Sequence, residues 1–505
     1  MIYSESIESK TGERIPLFAD QKPMHSKYNP HAERIVENPA EGFYIIGGIG
    51  GSFHIKSLLT ELGSDSFILA VEEDKESLDF SLECGVTAEV IKDERVQFCT
   101  VDELSSMLLN LYLPVLYSSF NCFAQRVWEN HAETVVSRIN AIVREKLSSI
   151  SADFSVQAHF GKQWQRNIIR NLAQVSDCPA PTVPSGKSAS IIAAGPSLDK
   201  SIEELKQNIE KTVIFCTDTA YQVLRKHHIE PDYIVSIDCQ NISLEHFSNI
   251  KEEDTAKKAC VILDLGSSPE IAEKMRKRGH DVYFTSSFHP FSKLASKEFN
   301  IPVINSGSGT VAIAACDLAL HSGARTIRLY GADFCYSSGK PYAKGTYLDS
   351  IYGKTSFRIF PGETMFSALM YRTELKECNP IYSENLINPR TSTVLESYSN
   401  ALSEWAENNS FECHNGCLSL KSTQKFFLPE QHAIDSLKFL LNYLNRVRDM
   451  QNKSVLELKK DEYFYGILPF IAWQKNHLKD KNLSVFEHIK LAHQALKRYT
   501  MIYEE

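Results

Sequence analysis

No run of apolar residues in this 505-residue chain approaches the length of roughly 18 needed to span a bilayer. The opening MIYSESIESKTGER has no apolar core of the kind a secretory signal needs, so the expected location is the cytoplasm. Positive charge is not in surplus either. The formal net charge is −9, which disfavours nucleic acid and anionic membrane as main partners, since both select basic patches. The twelve cysteines are scattered and make no disulfide framework; they read as buried free thiols in a reducing compartment. Cys413, His414 and Cys417 stand close together, but a fourth zinc ligand is not evident and no metal is expected. Internal repeats, low-complexity tracts and a Walker A sequence are all absent.

What remains is an ordinary globular composition, 43% hydrophobic and 23% charged, in a chain long enough for two to four domains. The stretch Ser188–Asp238 organises it. Ser190–Ala194 is an apolar run ending at Gly195-Pro196-Ser197-Leu198, and an amphipathic helix follows. Val213–Cys216 ends at Thr217-Asp218 before a second helix, and Tyr233–Ile237 ends at Asp238. Short buried strands alternating with helices predict a doubly wound parallel sheet, in which ligands bind outside the carboxyl ends of the strands. Gly195, Pro196, Ser197, Thr217, Asp218 and Asp238 fall at those ends. The glycine allows close approach, and helix N–H groups near Ser197 suit a phosphate. A plain turn with a helix cap is the competing reading.

Further strands are expected at Cys260–Leu263, Val282–Thr285, Val303–Ile304 and Thr326–Tyr330, the last leading into Gly331-Ala332-Asp333-Phe334. Between them Ser306-Gly307-Ser308-Gly309-Thr310 precedes a helix of small and apolar residues and is a second candidate anion site, or a glycine turn for tight packing. Toward the N-terminus, strand Phe43–Ile46, loop Gly47–Gly51, a helix, strand Phe67–Val71 and Glu72 make a Rossmann-like half. Its fingerprint is incomplete, with Phe53 where a third glycine would stand. A bound cofactor such as S-adenosylmethionine, with Glu72 on the ribose, and a packing turn both stay open. Residues 102–175 and those beyond about 429 have helical spacing. Three prolines and a glycine in Cys178–Gly186 read as a linker. The expected partition is 1–177, a Rossmann-like domain with helical extension; 178–186, a linker; 187–425, a central α/β domain; and 426–505, a helical domain.

Four blocks carry a family resemblance: IIAAGPSLDK (191–200), VIFCTDTAYQVLRKHHIEPDYIVSID (213–238), NSGSGTVAIAACDLAL (305–320) and RLYGADFCY (328–336). They resemble the domain shared by motility-associated factor (Maf) glycosyltransferases and 6-hydroxymethyl-dihydropterin pyrophosphokinases. HSKYNPHAER (25–34) with the N-terminal glycine loop looks like the Maf side. The resemblance implies a sialyltransferase-like central domain that moves a nonulosonic acid from a CMP-linked donor to Ser/Thr of flagellin, with no further cofactor. It implies a nucleotide loop at Gly195–Ser197, donor contacts from Thr217 and Asp218, and a carboxylate site at Ser306–Thr310. Tyr336 and Tyr342 would face the leaving phosphate. The His base of sialyltransferases has no counterpart in Cys335–Cys413, which leaves Asp218, Asp238 and Asp333 as candidates. A pyrophosphokinase with Mg²⁺ on Asp218, Asp238 or Asp264, and a non-catalytic flagellin-binding adaptor, are the alternatives; oligomeric state is left open.

Overall fold

The computed structural model describes residues 2–248, 258–287, 289–306, 309–384, 386–480 and 483–501. The chain divides into two compact units, one of Met1–Lys162 and Asn445–Gln494, the other of Gln163–Leu444 and Ala495–Glu505. One break falls inside a single helix, Glu133–Leu172.

In the first unit a hairpin, β1 (Tyr3–Glu8) and β2 (Arg14–Phe18), precedes four parallel strands. These are β3 (Phe43–Gly47), β4 (Phe67–Glu72), β5 (Val96–Thr100) and β6 (Phe120–Ala124), in the order β5-β4-β3-β6. Every residue of β3 and β4 is buried, as continuous apolar runs sheathed on both faces must be. The order is that of a Rossmann half, matching the expectation. Residues 445–494 complete this unit. The Lys459 ammonium lies 3.8 Å from the ring centroid of Phe67 at the start of β4. Burial there pushes its pKa down to about 8. Gly161 meets Pro469 backbone to backbone; a Cβ on it would stand 1.7 Å from the Pro469 carbonyl oxygen.

The second unit is built on eight strands in the order β11-β10-β9-β8-β7-β12-β16-β15. They are β7 (Ser188–Ile192), β8 (Thr212–Thr217), β9 (Tyr233–Ser236), β10 (Cys260–Asp264), β11 (Val282–Thr285), β12 (Thr326–Tyr330), β15 (Phe411–His414) and β16 (Cys417–Leu420). A two-residue pair, β13 (Lys376–Glu377) with β14 (Arg390–Thr391), stands apart. β7 to β12 run parallel, and the chain reverses its winding between β7 and β12. That switch point is where a doubly wound sheet opens a crevice. The helix Val311–His321 is buried along nearly its whole length, which its alanines permit.

Residues 120–124, read as part of a helical stretch, form strand β6, and three further features differ in detail from the sequence expectation. Val303 makes only a single bridge, to Ser286, because Pro302 and the brevity of the run leave little backbone to pair. β15 and β16 form an unforeseen antiparallel hairpin closed by Asn415-Gly416, both at positive φ, and place Cys413 and His414 on a strand. The proline-rich segment 178–186 lies within the second unit: Cys178 and Gln431 exchange backbone hydrogen bonds at 2.9 and 3.0 Å, and the Val183 N–H donates to Ser322 O at 2.7 Å. Among the described residues no helix is long and apolar enough to cross a membrane.

Candidate functional site

At the switch point the loops after β7 and β12 touch backbone to backbone. The Gly195 N–H donates to Gly331 O at 2.8 Å. A Cβ on Gly195 would lie 2.5 Å from that oxygen, and one on Gly331, at φ +65, 2.2 Å from Ala193 O. Only glycine fits either place. Asp333 ties the pair of loops together. Its Oδ2 accepts the Ser197 N–H at 2.7 Å, and its Oδ1 accepts the hydroxyls of Ser197 and Ser383. Burial pushes this carboxyl up in pKa while those bonds hold it down.

The expectation that the N–H groups of Gly195–Ser197 cradle a phosphate is therefore corrected. Gly195 spends its N–H on Gly331, Pro196 has none, and Ser197 spends its own on Asp333. What the loop gives the crevice is a closely fitted wall.

Beside that wall lies a cleft of about 390 Å³ lined by Gly195, Thr217, Gly309, Thr310, Tyr336 and Tyr342, among others. Thr217 caps the helix Asp218–Lys226. Asp218 points inward, with Oδ1 accepting from the Thr219 N–H at 2.7 Å and Oδ2 from the Ser236 hydroxyl at 2.6 Å. Asp238 sits at the carboxyl edge of β9, half-buried, and accepts the Gln240 N–H at 2.9 Å. Burial first, and the Asp218 charge after it, push its carboxyl up. Ser306 accepts from the Gly309 N–H at 2.9 Å through its carbonyl. Gly309 stands at φ +74, and among the described residues a Cβ there would meet only the Tyr398 hydroxyl, 4.0 Å away. Gly307 and Ser308 lie outside the described residues. Tyr342 keeps 36% of its surface exposed, yet its hydroxyl is set deep enough for burial to push it up to about 12.

Three residues of this edge were not foreseen. Arg372 lines the cleft and forms no ion pair among the described residues; burial raises the hydroxyls of Tyr336, Tyr342 and Tyr347 in pKa, and the Arg372 charge offsets part of that rise. Tyr347 stands beside Asp218 and Asp238, with its ring edge-on to buried His246 at 4.4 Å. Nothing local in the sequence marks any of them, since each reaches the site through the tertiary fold.

Asp264, at the end of β10, is buried, accepts the Gly266 N–H at 2.6 Å, and is pushed up to about 7 by burial. An acid whose folded pKa is raised favours the fold below its unfolded pKa, and that contribution is lost as pH climbs through about 7. Asp264→Asn keeps an acceptor for Gly266 without the titration. The variant is expected to be more stable than the parent at pH 8 by a few kcal/mol, since each tenfold change in proton affinity is worth about 1.4 kcal/mol. Its stability should also vary less between pH 4 and 7. Denaturant titrations at several pH values check this.

The glycine loop of the first unit is filled by the protein itself. A Cβ on Gly48 would meet Trp128 at 2.6 Å, and one on Gly50 the Met24 sulfur at 2.1 Å. The Gly51 N–H donates to His25 Nε2 at 2.8 Å, and His25 Nδ1–H donates to Glu33 at 2.7 Å. Glu72, the candidate ribose acid, is fully buried. It accepts from the Ile49 N–H at 3.0 Å, the Tyr3 hydroxyl at 3.0 Å and Trp128 Nε1 at 2.8 Å. Its carboxylate belongs to the loop. His25, Glu33 and His54 bring ligand atoms within 4.8 Å of one another. However, His25 has one ring nitrogen accepting and the other donating, so neither lone pair is free for a cation.

A family model described as 6-hydroxymethylpterin diphosphokinase MptE-like matches residues 166–339. Two uncharacterised proteins of Treponema pallidum (strain Nichols) are similar to the chain. One is 35% identical over 159 residues, 30% of this chain and 76% of that protein. The other is 29% identical over 239 residues, 47% of this chain and 75% of that protein. Among solved structures, a Maf glycosyltransferase from Magnetospirillum magneticum AMB-1 aligns with a TM-score of 0.52 at 14% identity. The alignment covers 99% of this chain and 92% of that one, a likeness of fold.

Proposed function

Since the chain belongs to the family of proteins with an MptE-like domain and has the fold of a Maf glycosyltransferase, we propose that it is a glycosyltransferase moving a nonulosonic acid from a CMP-linked donor to a Ser/Thr hydroxyl of flagellin. The observation that carries this reading is the cleft at the switch point, where Arg372, Tyr336 and Tyr342 converge. A cation and two phenol donors suit the charge that gathers on a departing phosphate. In the reaction the acceptor oxygen bonds to the anomeric carbon of the sugar. The bond from that carbon to the donor phosphate breaks, and its electron pair leaves with CMP. The acceptor proton goes to a carboxylate. Asp333 and Asp218 have both oxygens engaged in hydrogen bonds, so the base assigned is Asp238, the half-buried acid just after β9.

Arg372→Ala is expected to raise the KM for the donor 10- to 100-fold, the worth of a hydrogen bond to a charged group, with the melting temperature unchanged. Arg372→Lys should recover part of it, because a single ammonium replaces a planar fork. The primary test follows CMP release from CMP-pseudaminic and CMP-legionaminic acid with flagellin, with and without EDTA. Release that requires flagellin and falls in Asp238→Asn supports the transferase.

The description of the matching family model favours a second reading, a diphosphotransferase acting on hydroxymethyl-dihydropterin. Product formed only from ATP and the pterin, and abolished by EDTA, would select it. Flagellin binding without turnover of either donor would select the adaptor.

A further inference from the structure

Exposed large apolar side chains crowd into one short part of the second unit. Tyr342, Phe357, Ile359, Phe360 and Tyr371 are between 36% and 80% exposed. They follow a recognisable object. The helix Tyr347–Thr355 leaves the cleft just after Tyr342, and the helix Gly362–Met370 leads back to Arg372, which lines it. The two pack side by side, with Tyr352 on Phe366 at 5.0 Å between centroids. The base is fixed to the site wall, where the Ala343 N–H donates to Ala194 O at 2.8 Å and the Lys344 N–H to Asp199 at 2.8 Å. At the far end Phe357 and Phe360 close a tight turn through reciprocal backbone bonds of 3.1 and 2.9 Å. This turn holds Phe357 at 60%, Ile359 at 80% and Phe360 at 41% exposure. Three large apolar side chains on the tip of an arm bury little against their own chain, and such a patch marks a contact surface.

Resting on the transferase reading, we propose that this arm is the acceptor-docking element. Its occupant is an extended polypeptide segment whose hydroxyl enters the cleft and whose apolar side chain seats on Phe357, Ile359 and Phe360. The polar, charged donor has no use for an apolar tip, whereas an arm anchored to the site wall and apolar at its end offers a polypeptide a surface continuous with the cleft. The arm also sets a spacing. Nine helical residues span about 14 Å, and an extended chain covers that in about four residues. The favoured acceptors therefore carry a large apolar residue about four positions from the modified Ser or Thr.

The test uses the full chain and fluorescein-labelled peptides, each with one Thr and a Leu placed two, four or six positions away, or with Asp replacing the Leu at four. Anisotropy gives binding and CMP release gives transfer. The proposal expects the peptide with Leu at four to bind at least tenfold more tightly than the one with Asp. The triple variant Phe357→Ser/Ile359→Ser/Phe360→Ser should erase that preference while slow donor hydrolysis without peptide stays unchanged. Equal binding of all peptides, or a preference that survives in the triple variant, overturns the proposal. So does a change from dimer to monomer, or loss of binding to phosphatidylglycerol vesicles, as the only effect of the triple substitution. Peptide preference without turnover of any CMP donor would keep the docking arm and sink the transferase. Turnover without preference would do the reverse.

Discussion

Asp333→Ala is expected to cut donor-dependent CMP release at least 100-fold and to lower the melting temperature of the protein by several degrees. The carboxylate holds one N–H and two hydroxyls, and its removal takes the acceptor from all three, with Ser197 buried and Ser383 half-buried. Each stranded group costs about 1–3 kcal/mol. About 1 kcal/mol moves the midpoint by somewhat under 2 °C in a unit of this size. The functional loss should exceed the unfolding, because Asp333 joins the loops after β7 and β12 together with only the backbone bonds from Gly195 to Gly331 and from Ala343 to Ala194. Without it the wall of the cleft loses its register with Tyr336 and Arg372. Asp333→Asn should fall between, since its amide keeps one acceptor but turns a donor toward Ser197. Activity measured well below the midpoint separates the two effects. Full activity in a folded Asp333→Ala protein would show that the clamp does not shape the donor site.

Glu72→Ala should also cost stability, about 3–5 kcal/mol, with donor affinity in the second unit untouched. The acid is fully buried and holds Ile49, Tyr3 and Trp128 at once, so its loss unpairs the glycine loop from the side chains that fill it. The parent protein is correspondingly expected not to bind S-adenosylmethionine or a dinucleotide at Gly47–Gly51. Calorimetric titration checks that, and scanning calorimetry checks the first unit. Saturable binding of either ligand, lost in Glu72→Gln, would make the loop a cofactor site after all.

The two glycine loops mark where sequence stops being legible. Both strand–loop–helix patterns are plain in the chain, because apolar runs such as FYIIG and FILAVE have no other use than a buried parallel strand. The doubly wound sheet and the Rossmann half follow from them. What fills each loop does not follow. Trp128 arrives from far along the chain and His25 from before the strand, while Asp333 takes the Ser197 N–H across 136 positions. A local pattern looks the same whether a phosphate or a distant carboxylate satisfies it. The β15–β16 hairpin is a different case, because Asn415-Gly416 is itself a strong turn signal that needs no tertiary knowledge to see. Among the acids, Asp218, Asp238 and Asp333 are equivalent as letters. Burial and hydrogen bonding separate them.

The interleaving of the two units along the chain carries a consequence for synthesis on the ribosome. The last piece of the first unit, Asn445–Gln494, emerges only after the whole sheet of the second, whose final strand ends at Leu420. At about 5–20 residues per second, β4 waits tens of seconds for the lysine that covers Phe67. During that interval the aromatic floor formed by Phe43, Phe67, Tyr112 and Tyr117 lacks Lys459. The sheet of the second unit is thus complete on the ribosome before the first unit has all of its chain, although the second unit begins later.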